Sequence, residues 1–278
     1  VSPARRRLDV ELVRRGLAAS REQARDDIAA GRVLVSGSPA AKPARLVDPA
    51  EPVRLLGPPP RFVGRGGEKL DAALDRFGID VRRLRALDAG ASTGGFTDCL
   101  LQRGAAHVVA VDVGHGQLHP RLRADPRVTV RERTNIRDLS LDDVGGEPFP
   151  LVVADLSFVS LRTAAPALVA LAAEGADLVV LIKPQFEVGR VAAARGRGVV
   201  RDPALWRAAI EGVDAAFAAQ GAAIMGLMVS PLRGPEGNAE FPARFVKGRP
   251  VAAGTGALVD AAVDGAAAAD HPPDTGAR

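Results

Sequence analysis

Four charged side chains stand where this sequence could do chemistry. Asp155 follows the apolar run Leu151–Ala154, and Lys183 follows Leu178–Ile182. If both runs are buried strands of an open sheet, the two side chains lie side by side outside its carboxyl edge, where such sheets bind ligands. Lys69 stands in Arg65-Gly66-Gly67-Glu68-Lys69-Leu70, at the expected start of a helix, and Glu240 in Gly237-Asn238-Ala239-Glu240-Phe241. A neutral lysine accepts a proton and a carboxylate orients its neighbours, so the set suits proton transfer without a metal. Each residue alone reads as an ordinary solvated strand end or helix charge. The set is harder to dismiss, because the chain has only four lysines (Lys42, Lys69, Lys183 and Lys247) and places one directly after a buried strand.

A second constellation is the loop Leu87-Asp88-Ala89-Gly90-Ala91-Ser92-Thr93-Gly94-Gly95-Phe96-Thr97. Glycines at a strand-to-helix turn let a ligand approach the backbone closely. The spacing is neither G-x-G-x-x-G nor G-x-x-x-x-G-K-[ST], so it fits a dinucleotide fold poorly and is no P-loop. Asp112 ends the next apolar run, where a carboxylate can hold both hydroxyls of a ribose. Asn135 follows the third run and is expected at the same edge of the sheet.

These residues need elements to hold them. Strands are expected at Leu84–Asp88, Val108–Asp112, Val128–Val130, Leu151–Asp155 and Leu178–Lys183, with later strands at Ala222–Val229 and Phe241–Val246. Helices are expected over 96–103, 162–173 and 203–219. This alternation predicts an α/β fold, a doubly wound Rossmann-like sheet covered on both faces. Ahead of it, Leu8, Leu12 and Val13 give a helical stripe ended by Gly16. Ser20 reads as the cap of a second helix carrying Ala24 and Ile28, with Gln23 as its capping-box partner. Val33–Val35 and Val53–Leu56 read as strands. The expected domains are a small α+β unit over 5–57, a Pro-rich linker over 58–65, a larger unit over 66–248, and a disordered Ala/Gly/Asp/Pro tail over 249–278.

The 278 residues suggest about two domains at roughly 150 residues each. Apolar residues make up 47% and charged residues 25%, which suits a globular chain with a real core. No run approaches the about 18 apolar residues of a membrane span, and no signal peptide is evident. Cys99 is the single cysteine, which excludes a disulfide framework and a cysteine-built zinc site and fits a reducing cytoplasm. Charge is uneven. Residues 1–66 hold 13 Arg/Lys against 7 Asp/Glu, a surplus of +6, whereas the rest carries −2. A small basic module on a near-neutral body suggests a polyanion-binding arm. Arg5, Arg6, Arg21 and Arg25 cluster around the two expected helix starts and are the expected contacts to that polyanion.

The loop and Asp112 look like motif I of S-adenosylmethionine-dependent methyltransferases. Lys69, Asp155, Lys183 and Glu240 resemble the Lys-Asp-Lys-Glu tetrad of FtsJ/RrmJ-type RNA ribose 2′-O-methyltransferases. The stretches R-G-G-E-K-L, D-A-G-A-S-T-G-G-F-T, D-V-G-H-G-Q-L, E-R-T-N-I-R, D-L-S-F-V-S-L, I-K-P-Q-F-E-V-G and G-N-A-E-F together resemble the TlyA family. That family is described as ribosomal RNA cytidine-2′-O-methyltransferases and historically also as haemolysins. The pattern from Ser20 to Gly37 is similar to the alpha-L RNA-binding domain first seen in a small-subunit ribosomal protein. The resemblance implies S-adenosylmethionine as cofactor, held by Asp88, Gly90, Ala91, Ser92, Thr93, Gly94, Gly95, Phe96, Thr97, Asp112, Val113, Asn135, Ile136 and Asp155. It implies ribosomal RNA or ribosomal subunits as partner, no membrane, no metal, and a cytoplasmic location. It makes Lys183 the candidate base, with Lys69 as a neighbouring cation that helps keep it neutral. Asp155 and Glu240 would orient the lysines, and loss of Glu240 is expected to be mild because water can replace it.

Absences narrow the chemistry. D-L-S-F stands where an N-P-P-[YF] loop would serve transfer to a base nitrogen. Cys99 is not in a Pro-Cys loop of the kind used for cytosine C5. The G-R-L-D motif of pseudouridine synthases is missing. The alternatives are a membrane-acting haemolysin, which would need an amphipathic or spanning helix, and a non-catalytic RNA-binding or ribosome assembly factor. A Rossmann dehydrogenase is more distant.

Overall fold

The computed structural model describes residues 5–18, 21–58, 60–189, 198–250 and 255–270. The chain divides into two compact units, Val1–Arg65 and Gly66–Arg278.

The first unit carries β1 (Arg6–Arg7), α1 (Leu8–Arg14), α2 (Arg21–Ala29), β2 (Val33–Val35), β3 (Ser38–Pro39), β4 (Leu46–Val47) and β5 (Val53–Leu55). Leu8 and Leu12 of α1 and Ala24 and Ile28 of α2 recur at helical spacing. They close one core with Val33, Val35 and Val47. The antiparallel sheet runs β3-β2-β5, with Val33 opposite Leu55 and Val35 opposite Val53. β1 pairs with β4 through two residues each, too short for periodicity to reveal. Ser20, expected as a helix cap, lies outside the described residues.

The second unit begins with α3 (Gly66–Phe77). It continues through β6 (Arg85–Ala89), α4 (Gly95–Gln102), β7 (His107–Val111), α5 (Pro120–Arg123), β8 (Val128–Arg131), β9 (Phe149–Ala154), α6 (Leu161–Leu171), β10 (Ala172–Ile182) and α7 (Pro184–Glu187). α8 (Pro203–Ala218), β11 (Ala222–Leu227), β12 (Phe241–Lys247) and α9 (Gly256–Asp270) complete it. The seven strands lie in the order β11-β12-β10-β9-β6-β7-β8. Five are parallel, and β12 inserts antiparallel between β10 and β11. The chain leaves β6 first towards β7 and β8, then returns to its other side with β9. The crevice at the carboxyl ends of β6 and β9 is therefore the switch point at which open sheets take ligands. The central strands are almost wholly apolar because helices cover both faces. Leu87, Ala89, Val152 and Ala154 face the layer of α6, α8 and α9, while α3 packs on α4.

The tail reading needs correction. Residues 256–270 form helix α9, which buries Val259, Ala262, Val263 and Ala266 at positions three and four apart. Alanine is the best helix former, but it occupies the exposed positions of α9 as well as the buried ones, and this hid the stripe. Among the described residues no helix is long and apolar enough to cross a membrane.

Candidate functional site

The expected tetrad resolves into two ion pairs. Asp155 follows β9 and Lys183 follows the adjacent parallel strand β10, so both leave the sheet at the same edge. Lys183 Nζ lies 2.6 Å from Asp155 Oδ1 and donates a hydrogen bond to Ser157 Oγ at 3.0 Å. The ammonium meets Asp155 off the directions of a regular hydrogen bond, so that contact is an ion pair. Lys69, in the first turn of α3, lies 2.5 Å from Glu240 Oε2. Their side chains are 7% and 1% exposed.

Strand register explains how the pairs come together. Ile182 lies opposite Phe241 in the antiparallel β10–β12 ladder, so the next positions, Lys183 and Glu240, leave the sheet as neighbours. α3 supplies the other tie. A Cβ on Gly66 would come within 3.3 Å of the Phe96 ring and 3.6 Å of Asp155 Oδ2, and Lys69 follows within the same turn. The site therefore joins α3, β9, β10 and β12. Lys69 is matched to Glu240, a carboxylate expected to orient the lysines. One expectation changes. Glu240 is buried, so no solvent stands ready to replace it.

The glycine loop sits beside this cluster. Gly90 has a φ of +87°, and a Cβ there would come 2.6 Å from the Asp155 carbonyl oxygen. Gly94 has a φ of +99°, and a Cβ there would collide with Leu118 and Leu122. Only glycine meets both demands, so the turn between β6 and α4 can press against the end of β9. Asp112 follows β7 and braces two loops: Oδ2 accepts from the Ser92 amide at 2.8 Å and Oδ1 from the Gly114 amide at 2.6 Å. Each oxygen keeps a further lone pair for a ligand hydroxyl.

The expected cofactor residues fall into two groups. Gly90, Ser92, Thr93, Asp112, Val113, Asn135 and Asp155 retain accessible surface, and Val113 is 70% exposed. Asp88, Ala91, Gly94, Gly95, Phe96, Thr97 and Ile136 are buried and shape the loop from beneath. Asn135 Oδ1 caps a 3₁₀ turn over Ile136–Asp138 by accepting from the Arg137 amide. Of the expected RNA contacts, Arg5 and Arg6 are exposed, whereas Arg21 and Arg25 sit on the Asp9 carboxylate.

Two residues escaped sequence reasoning. Ser157 fixes Lys183. Phe158 is 93% exposed at a φ of +66°, with its ring 5.5 Å from that of Phe186. An aromatic held this openly in a left-handed conformation is unusual. The only sequence signal was their presence in the run after Asp155.

Asp88 is fully buried. Thr97 Oγ1 donates to its Oδ2 at 2.6 Å, and among the described residues Oδ1 has no hydrogen-bond partner. Burial pushes its carboxyl up to about 7, with the Asp155 and Asp112 charges adding to the effect and the Thr97 bond opposing it. The unfolded chain gives up this proton at a lower pH than the folded one. The associated stability is therefore present at acid pH and is lost as pH rises towards 7. Asp88→Asn should flatten that decline and unfold at a higher temperature than wild type at pH 8. A thermal melt of the variant that tracks wild type across this range would place the carboxylate in a wetter setting.

Comparison with known proteins adds to this geometry. The model of the FtsJ-like methyltransferase family matches residues 62–245, and that of the S4 domain matches residues 6–53. Over 238 residues the chain is 52% identical to the 16S/23S rRNA (cytidine-2′-O)-methyltransferase TlyA of Mycobacterium tuberculosis, covering 85% of this chain and 88% of that one. It is 37% identical over 240 residues to Hemolysin A of Brachyspira hyodysenteriae, covering 86% and 99%. A solved structure of a hemolysin-named protein from Streptococcus thermophilus superposes with a TM-score of 0.77 at 37% identity, covering 95% of this chain and 96% of that one.

Proposed function

Because the chain belongs to the FtsJ-like methyltransferase family and carries an S4 domain ahead of the catalytic unit, we propose that it transfers a methyl group from S-adenosylmethionine to a ribose 2′-hydroxyl of ribosomal RNA, at cytidine. The observation that carries this reading is the meeting of the Lys183–Asp155 and Lys69–Glu240 pairs beside the Gly90 loop. The 52% identity to an enzyme named for that reaction supports it. The proposal places the protein in the cytoplasm, with ribosomal subunits as partners.

The cradle fits such a donor. The Gly90 turn admits a ligand against the backbone, and Asp112 offers two oxygens to ribose hydroxyls. When bound, S-adenosylmethionine supplies an electrophilic methyl group on a sulfonium, ready for displacement. The chain must then hold the acceptor oxygen in line and manage its proton. Lys183 is the group at hand, held by Asp155 and Ser157. An ammonium has no lone pair, so Lys183 accepts a proton only in its neutral form. Lys69 and Glu240, locked together, fix the wall that β12 and α3 present to the acceptor. The open Phe158 ring offers a face on which a nucleobase can stack.

Asp112→Ala is expected to weaken S-adenosylmethionine binding by about 2–3 kcal/mol, the worth of lost charge-assisted hydrogen bonds. It also frees the Ser92 and Gly114 amides. Unchanged affinity in calorimetry would move the ribose carboxylate elsewhere. The reaction itself is tested by mass-spectrometric mapping of 2′-O-methyls in ribosomal RNA from cells with and without the gene. Identical maps would refute it.

A further inference from the structure

We propose that Glu187 is a positioning residue for Lys183: its buried carboxylate ties the short helix α7 to the start of α6 and so holds the lysine against Asp155 and Ser157. The assignment deepens the methyl-transfer reading above and rests on it. Glu187 is the last residue of α7 and is 9% exposed. Its Oε1 accepts from the Leu161 amide at 2.8 Å, and its Oε2 accepts from the Ser160 hydroxyl. Ser160 and Leu161 open α6 and end the loop that begins at Asp155. That loop and the turn after β10 are therefore joined at both ends. Lys183 meets Asp155 and Ser157 at one end. Glu187 meets Ser160 and Leu161 at the other.

Local structure alone does not hold Lys183 in place. It stands just ahead of α7, at a φ of −115° and a ψ of 98°, without a side-chain cap. The next residue, Pro184, has no amide to donate. α7 spans four residues, a single turn, which is not stable by itself. It packs on α8, which seats it on the core. Glu187 supplies the bonds toward the loop that carries Asp155 and Ser157, so α7 cannot slide along that loop without breaking both.

Capping of α6 does not account for a carboxylate here. Ser160 already caps that helix, its Oγ accepting from the Arg162 amide at 3.2 Å. The Leu161 amide is left over as one of the orphan donors of a helix start, and a neutral oxygen would satisfy it. A buried carboxylate is a costly way to do so. Burial raises the Glu187 carboxyl, with the bonds from Ser160 and Leu161 opposing. What the carboxylate adds is two acceptor oxygens in one rigid plane, matched to donors on two consecutive residues. Such a pair fixes direction as well as distance, which is what a lysine aligned on a reacting oxygen requires.

The test follows methyl transfer from labelled S-adenosylmethionine to ribosomal subunits taken from cells without the gene, with the full chain as enzyme. Glu187→Ala should lower kcat by about 10²-fold, the loss that a misplacement near 1 Å brings. KM and the calorimetric donor affinity should stay at wild-type values. Glu187→Gln keeps an oxygen for one donor but sets an NH2 against the other, so its kcat should fall between wild type and Glu187→Ala. A double-mutant cycle separates positioning from general support of the fold. If Glu187 acts through Lys183, Glu187→Ala should cost almost nothing in a Lys183→Ala background. Thermal unfolding identifies the folded variants, and if Glu187→Ala does not fold, Glu187→Gln runs the same cycle. Wild-type kcat in a folded Glu187→Ala, a change confined to KM, or an undiminished loss in the Lys183→Ala background would each overturn the assignment alone. A wild-type chain that methylates neither subunit would remove the functional reading and the assignment with it.

Discussion

Lys183→Ala is expected to slow methyl transfer by about 10²–10⁴-fold, the range in which a positioned general base contributes, while the donor still binds. Lys183 Nζ touches Asp155 and Ser157 and belongs to no bond that supports the Gly90 loop or Asp112. Removing it should therefore leave donor binding unaffected, and calorimetry with S-adenosylmethionine checks this. Lys183→Arg is the sharper experiment. The guanidinium can pair with Asp155 but stays protonated at every working pH and cannot accept a proton. If Lys183 is the base, the arginine variant fails as the alanine variant does. Near wild-type activity in Lys183→Arg would make the residue an electrostatic or positioning group, with the proton leaving to water or to Asp155.

The half of the site built on parallel strands was legible because it depends on local pattern. Apolar runs mark β9 and β10, a charged residue ends each, and parallel neighbours deliver both charges to one edge. The glycine loop and Asp112 were legible for the same reason. The pairing of Lys69 with Glu240 was not. It spans 171 residues and needs β12 to turn antiparallel beside β10, a strand order that no local signal encodes. β10 itself begins at Ala172, six residues before the expected Leu178, because Glu174 and Gly175 interrupt the apolar run. Asp9 was opaque in another way. An acid within a basic segment reads as a solvated charge, and only the packing of α1 on α2 shows that arginines surround it and exclude water.

Burial changes what is expected of Glu240. Solvent could replace an exposed orienting carboxylate at little cost, but the Glu240 and Lys69 side chains are 1% and 7% exposed and only 2.5 Å apart. Glu240→Ala leaves the Lys69 ammonium buried without its counter-charge, and breaking such a pair from one side costs about 3–5 kcal/mol. That is a large fraction of the roughly 5–15 kcal/mol that holds a typical domain together. The variant should lose activity mainly by unfolding, seen as a lower denaturant midpoint. Removing both charges isolates the cause. Lys69→Met/Glu240→Leu has no orphaned ion and should recover much of the lost stability, since replacing a whole buried pair by apolar groups is often neutral. If the pair also shapes the acceptor wall, the stable double variant should still methylate poorly. A folded double variant at wild-type rate would show that Lys69 and Glu240 serve the fold alone. A Glu240→Ala midpoint equal to wild type would mean that water reaches the pair and that its charges are not buried as the geometry places them.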